Sequence, residues 1–242
     1  MRAVIIGINS DIGYYLADRY FALGYDVLGT CRTRSERVSK YKTYLCDVRN
    51  PGDVDRFANN CLEWDLFIST VGDLKPVGRF LNTDFYKWEE SIWVNALAQL
   101  QIFHKVYKYR VKDKVADVVF FAGGGVSRSV VDYSAYTVSK VMLVKMCEIL
   151  NDECKDINPF IIGPGWVKTK IHQATTPEAY NYQDVVNFLS KGSGTSMETI
   201  FEFIEKLRVL GKTVAGGRNF SIYDDLEDIV VNDDLFKLRR RG

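Results

Sequence analysis

Along the chain, short apolar runs alternate with longer stretches in which apolar positions recur every three or four residues. Ala3-Val-Ile-Ile6 is continuously apolar, the mark of a strand buried on both faces of a sheet. Tyr25 to Thr30, Lys42 to Cys46, Asp65 to Val71, Ala116 to Ala122, Pro159 to Ile162 and Asn219 to Tyr223 read as further strands. Helical spacing runs from Tyr14 to Leu23, where Gly24 stops it, and again from Val54 to Leu62. It returns from about Thr83 to Arg110, from Ser134 to about Lys155, and from Thr199 to Leu210. This alternation predicts an α/β fold: a doubly wound parallel sheet of about seven strands, with helices on both faces and right-handed crossovers. Ligands of such sheets bind beyond the carboxyl ends of the strands, where the strand order reverses. No linker, repeat or low-complexity stretch divides the 242 residues, so residues 1–242 read as a single domain.

Charge and composition narrow the partners. Thirty-two basic residues against 31 acidic ones give a net charge of +1, which leaves no electrostatic footprint for nucleic acid. No apolar run reaches the ~20 residues that span a bilayer. The first strand begins almost at Met1, which predicts a cytoplasmic protein without a signal peptide. Five unclustered cysteines read as reduced thiols, and two histidines are too few for a histidine-based metal site; no metal is expected. The run Leu238-Arg-Arg-Arg-Gly242 reads as a solvated tail. A small molecule is the expected partner.

Two patterns carry chemistry. In Tyr133-Ser-Ala-Tyr-Thr-Val-Ser-Lys140, a helix sets Tyr136 and Lys140 on one face. A free phenol, with a pKa of about 10, is a poor acid-base catalyst near neutrality, and a fixed neighbouring cation favours its phenolate. The second pattern is Gly7-Ile-Asn-Ser-Asp-Ile-Gly13, a Gly-rich turn between the first strand and a helix. Unpaired N–H groups and the helix dipole make such a turn an anion site.

Further motifs follow in order: Cys46-Asp47-Val48 after the third strand, Asn95 in Ser91-Ile-Trp-Val-Asn95, and Pro164-Gly-Trp-Val-Lys-Thr169 after the sixth strand. Together these residues resemble the short-chain dehydrogenase/reductase family over nearly the whole chain. The resemblance implies an NAD(P)-dependent oxidoreductase that interconverts a carbonyl and a hydroxyl on a small molecule. It gives Tyr136 proton transfer, Lys140 the lowering of the Tyr136 pKa and a bond to the nicotinamide ribose, and Asn95 a water linking Lys140 to solvent. It places the cofactor against Gly7, Asn9, Ser10, Asp11, Ile12 and Gly13, with the adenine at Asp47 and Val48. Thr70 and Gly72 line it, and Pro164, Gly165, Val167 and Thr169 hold the nicotinamide. Substrate is expected near Gly123, Gly124 and Trp166, under a variable lid at about 170–217. Pairing of the two long helices across a two-fold axis implies a homodimer or homotetramer, with Trp88, Trp93, Leu97, Leu100, Phe103, Met142, Leu143, Met146 and Leu150 as the apolar surplus.

The chain departs from the family at several positions. Asp11 stands where the turn usually has its middle glycine, and Ser69-Thr-Val-Gly72 replaces the usual Asn-Asn-Ala-Gly. Thr30-Cys-Arg-Thr-Arg34 offers no acid to bind the ribose hydroxyls of NAD(H). Arg32 instead suits a 2′-phosphate, which favours NADP(H) over NAD(H). The family's catalytic serine is Gly123 here. Losing one such donor typically costs about 10²- to 10³-fold in rate. The backbone N–H groups of Gly123 to Gly125, or the hydroxyls of Ser127 or Ser129, are candidate replacements, and the glycine is expected to widen the pocket for a bulky or polar substrate such as a sugar or sugar nucleotide. The alternative reading is a non-catalytic or weakly active dinucleotide-binding protein of the same fold.

Overall fold

The structure, a computed structural model, describes residues 1–229. The Arg-rich tail lies outside them. Seven parallel strands form one sheet: β1 Arg2–Ile6, β2 Asp26–Cys31, β3 Lys42–Leu45, β4 Leu66–Ser69, β5 Ala116–Phe121, β6 Ile157–Gly163 and β7 Asn219–Ser221. Their order, β3-β2-β1-β4-β5-β6-β7, reverses direction between β1 and β4, where Ala3 pairs with Leu66. Helices cover both faces: α1 Asp11–Ala22, α2 Pro51–Asn59, α3 Phe85–Ile92, α4 Ala98–Val106, α5 Ser134–Glu153, α6 Tyr182–Lys191 and α7 Met197–Ala215.

Alternation of side chains along each strand divides the core in two. Ile5, Ile68, Val119, Phe160 and Phe220 point to the face packed by α1 and α7. Val4, Ile6, Phe67, Phe120 and Ile161 point to the face packed by α2, α4 and α5. On that second face Phe103 meets Phe67 edge-on at 5.4 Å and Phe120 at 6.3 Å. Burying each such ring stabilises the fold by roughly 1.5–3 kcal/mol.

Three sequence expectations change. The long helix expected from Thr83 to Arg110 is interrupted by a π turn, Trp93–Leu97, between α3 and α4. Within the segment expected as a lid, α7 buries Ile200, Phe203, Ile204 and Leu207 in the core, so it is a crossover helix of the sheet and not a cover. The apolar surplus on the long helices is also smaller than the sequence suggests. Phe103 and Leu143 belong to the core, Leu97 stays exposed, and the other six are half-buried.

Candidate active site

The turn after β1 is built by short contacts. Gly7 adopts a φ of +81°, which a side chain would strain. The Ser10 hydroxyl caps α1 by accepting from the Gly13 N–H at 2.9 Å, and it donates to Thr70 Oγ1 at 2.9 Å. Thr70 in turn donates to the carbonyls of Ile6 and Gly7, at 3.0 and 3.1 Å. A Cβ on Gly13 would lie 2.5 Å from the Gly7 carbonyl, so this position must be glycine for the turn to close. The backbone N–H groups of Asp11 and Ile12 have no partner among the described residues. They are the donors that a dinucleotide's pyrophosphate requires, and in that respect the turn fits the cofactor.

Tyr136 and Lys140 lie on the first turns of α5, behind β5, with the Lys140 Nζ 5.5 Å from the centroid of the Tyr136 ring. Lys140 is buried, and neither its ammonium nor the phenol makes a hydrogen bond among the described residues. Burial pushes the Tyr136 phenol up to about 12 and the Lys140 ammonium down to about 7. In the ligand-free protein burial alone sets both directions, opposite to the lowering of the Tyr136 pKa expected from Lys140 together with the oxidised nicotinamide.

The same burial makes stability depend on pH. From about pH 7 to 10.5 the folded state holds fewer protons on Lys140 than the unfolded chain, so this group's contribution to stability rises with pH across that window. Tyr136 acts oppositely from about pH 10 to 12, where the folded state keeps the proton. Lys140→Met is therefore expected to melt above the ligand-free wild type below pH 7, with the gap closing toward pH 10. Thermal melts followed by circular dichroism check this, and a gap independent of pH would contradict it.

Asn95 sits in the π turn and is fully buried. Its Oδ1 accepts from the Asp73 N–H at 2.9 Å, while its Nδ2 donates to the carbonyls of Asp73 at 2.8 Å and Ser91 at 3.0 Å. Gln99, which the sequence reading missed, donates to the Asn95 carbonyl at 2.7 Å and accepts from the Ser69 hydroxyl at 2.6 Å. The side chain of Asn95 is thus committed to the loop after β4, near Gly72, and Gln99 occupies part of its carbonyl. Spacing of four between two amides on one helix was the available signal.

A Cβ built on Gly123 would lie 2.5 Å from Tyr136 Cε1 and 3.2 Å from its hydroxyl oxygen. The tyrosine ring occupies that space, so the glycine does not widen the pocket as expected. At Gly124 a Cβ would meet nothing within 4 Å.

The outer cofactor residues are less engaged. Arg32, just beyond β2, is exposed, and it acts through its charge on Asp47. The Asp47 carboxylate is held by Arg49, with Nη2 at 2.6 Å, and this pairing holds it below its ordinary range. Val48 is buried behind it. Arg37, also missed, stacks on the Tyr14 ring at 4.1 Å and donates to the Ser10 carbonyl at 3.3 Å. After β6, Gly165 has a φ of +68°. Val167 is buried, Pro164 and Thr169 are half-buried, and Asn9 lies half-buried in the first turn. Trp166 stacks on His172 at 5.6 Å with 7° between the planes, and Phe188 meets both edge-on. Among the described residues no group of three or more His, Cys, Asp or Glu is placed to hold a metal ion, and no helix is long and apolar enough to cross a membrane.

Every sequence-predicted site residue but Asn95, Tyr136 and Lys140 lies on a segment leaving the carboxyl end of a strand, and those three stand on helices packed beside these segments. Solved structures share this frame. An aldohexose dehydrogenase from Thermoplasma acidophilum superposes with a TM-score of 0.78 at 16% identity, over 91% of each chain. A 3-ketoacyl-(acyl-carrier-protein) reductase from Brucella melitensis, solved with NADH, gives 0.77 at 16% identity, over 90% of this chain and 95% of its own. BdcA, solved with NADPH, gives 0.76 at 15% identity, over 91% of each chain. No curated protein matches the sequence. A sequence model described as short chain dehydrogenase matches residues 1–179, a span that carries the Gly-rich turn, Asn95, the Tyr136–Lys140 pair and the loop after β6. The chain belongs to the short-chain dehydrogenase family.

Proposed function

We propose that the protein is an NADP(H)-dependent oxidoreductase that interconverts a carbonyl and a hydroxyl on a small molecule, with sugars and sugar nucleotides first among the substrates to test. The observation that carries this reading is the Tyr136–Lys140 pair on α5, with the Tyr136 ring over Gly123 at the end of β5. The nicotinamide supplies the hydride when it is bound. Tyr136 gives its proton to the carbonyl oxygen, or takes one from the hydroxyl, at its phenolic oxygen. Lys140 bonds the nicotinamide ribose and, once protonated beside it, favours the phenolate. Gly7, the N–H groups of Asp11 and Ile12, Gly13 and Thr70 hold the phosphates and the nearer ribose. Asp47 and Val48 bound the adenine, and Gly72, Pro164, Gly165, Val167 and Thr169 flank the nicotinamide. Gly123, Gly124 and Trp166 face the substrate. The reading is tested by following NADPH consumption across a panel of carbonyl compounds that includes keto-sugar nucleotides; the absence of turnover on every class would count against it. Gly123 in place of a serine favours the second reading, a dinucleotide-binding protein without turnover, and the same panel separates the two.

The preference for NADP(H) rests on the missing carboxylate after β2 and on the exposed Arg32. NADPH is expected to bind more tightly than NADH, and Arg32→Ala to remove most of the difference. A lost charge-assisted bond to phosphate costs roughly 1.5–3 kcal/mol. Equal affinity of the wild type for both, measured by fluorescence titration, refutes the role given to Arg32.

A further inference from the structure

Asp11 stands at the start of α1, where the turn's N–H groups face outward. Its carboxylate is already engaged. Oδ2 accepts a hydrogen bond at 2.9 Å from the backbone N–H of Lys170, which follows the loop after β6. Oδ1 lies 3.6 Å from Arg37 Nη1, and Arg37 is braced by the Tyr14 ring and the Ser10 carbonyl. One carboxylate thus ties together three walls of the crevice: the turn after β1, the segment after β2 and the loop after β6.

Strand order gives this tie its meaning. Between β1 and β6 lie β4 and β5, so the bond from Asp11 to Lys170 crosses the carboxyl ends of both. A ligand reaching from Arg32 and Asp47, beyond β2 and β3, to Tyr136, behind β5, must pass this crossing. It would bring phosphates to the N–H groups of Asp11 and Ile12, next to a carboxylate that is about one-fifth exposed. Two anions are then brought to one helix terminus, where their like charges repel.

We propose that Asp11 is an internal anion that latches the crevice shut, and that a dinucleotide binds by displacing its carboxylate from the Lys170 N–H. This rests on the dinucleotide reading above and adds a residue that sets affinity. On entry the pyrophosphate takes the turn's free donors, its charge turns the carboxylate away together with Arg37, and the loop after β6 is released from Asp11. The latch lowers affinity for every dinucleotide alike, because the pyrophosphate is common to all of them.

The test compares wild type, Asp11→Gly and Asp11→Asn. Calorimetric titration with NADPH and with NADH is expected to show binding about tenfold tighter in both variants, since each removes the like charge. Asparagine keeps an acceptor of the same size, so a gain in Asp11→Asn assigns the effect to charge and not to bulk. Variants that bind both cofactors no tighter than wild type overturn the latch and leave the cofactor reading standing. No binding of either cofactor by any of the three proteins overturns both. Hydrogen exchange in the ligand-free proteins reads the tie without a ligand. The Lys170 amide is expected to be protected in wild type and to exchange faster in Asp11→Gly, and equal exchange in the two overturns the latch whatever the titrations show.

Discussion

Tyr136→Phe is expected to lower kcat on a carbonyl substrate by about 10²- to 10⁴-fold, the range for loss of a positioned proton donor. Its affinity for NADPH should be nearly unchanged. The structure explains why this substitution is clean. The phenol makes no hydrogen bond among the described residues, so its removal leaves no orphaned partner, and the ring that fills the space over Gly123 remains. Fold, packing and cofactor cradle are preserved while the transferable proton is lost. Wild-type turnover in this variant would rule out Tyr136 as the proton-transfer group.

Gly123→Ser, which restores the family's usual residue, is expected to damage the protein instead of improving it. The new Cβ would lie 2.5 Å from Tyr136 Cε1. Either the tyrosine ring or the backbone after β5 must move, and overpacking of this kind destabilises by about 1–3 kcal/mol. A displaced phenol also loses its line to the substrate oxygen, so kcat should fall along with the melting temperature. Steady-state kinetics and a thermal melt on the same preparation check both. A higher kcat at unchanged melting temperature would mean that Gly123 is simply a lost donor.

The sheet was legible in the sequence because strands buried on both faces must be short apolar runs, and such runs have few other uses in a chain of this composition. The Gly-rich turn and the Tyr136–Lys140 pair were legible because each is local, one in a turn and one within a single helical face. What escaped was either a matter of phase or of three-dimensional pairing. The π turn at Asn95 inserts one residue into an otherwise helical pattern, and an apolar periodicity read by eye does not register so small a slip. Helix α6 lies in a polar stretch whose only apolar anchors are Val185 and the half-buried residues around it. Arg37 meets Asp11 only because the segments after β1 and β2 leave neighbouring strands, and no spacing along the chain announces that meeting. Gly123 was visible as a missing serine, but the ring that fills its place became visible only once α5 was docked on β6, with Tyr136 over the segment after β5.

The strand order of the sheet also bears on how the candidate site is assembled. The central pairing joins Ala3 to Leu66, and Ala116 pairs with Ile157, so the contacts that bring the site together are distant along the chain. Loops of this length must be closed before any of the pairings rewards the chain, which slows folding and makes it cooperative. The Gly-rich turn, the α5 pair and the loop after β6 come together through the pairings of β1, β4, β5 and β6. Binding of the dinucleotide proposed above is therefore expected only once β6 has paired with β5.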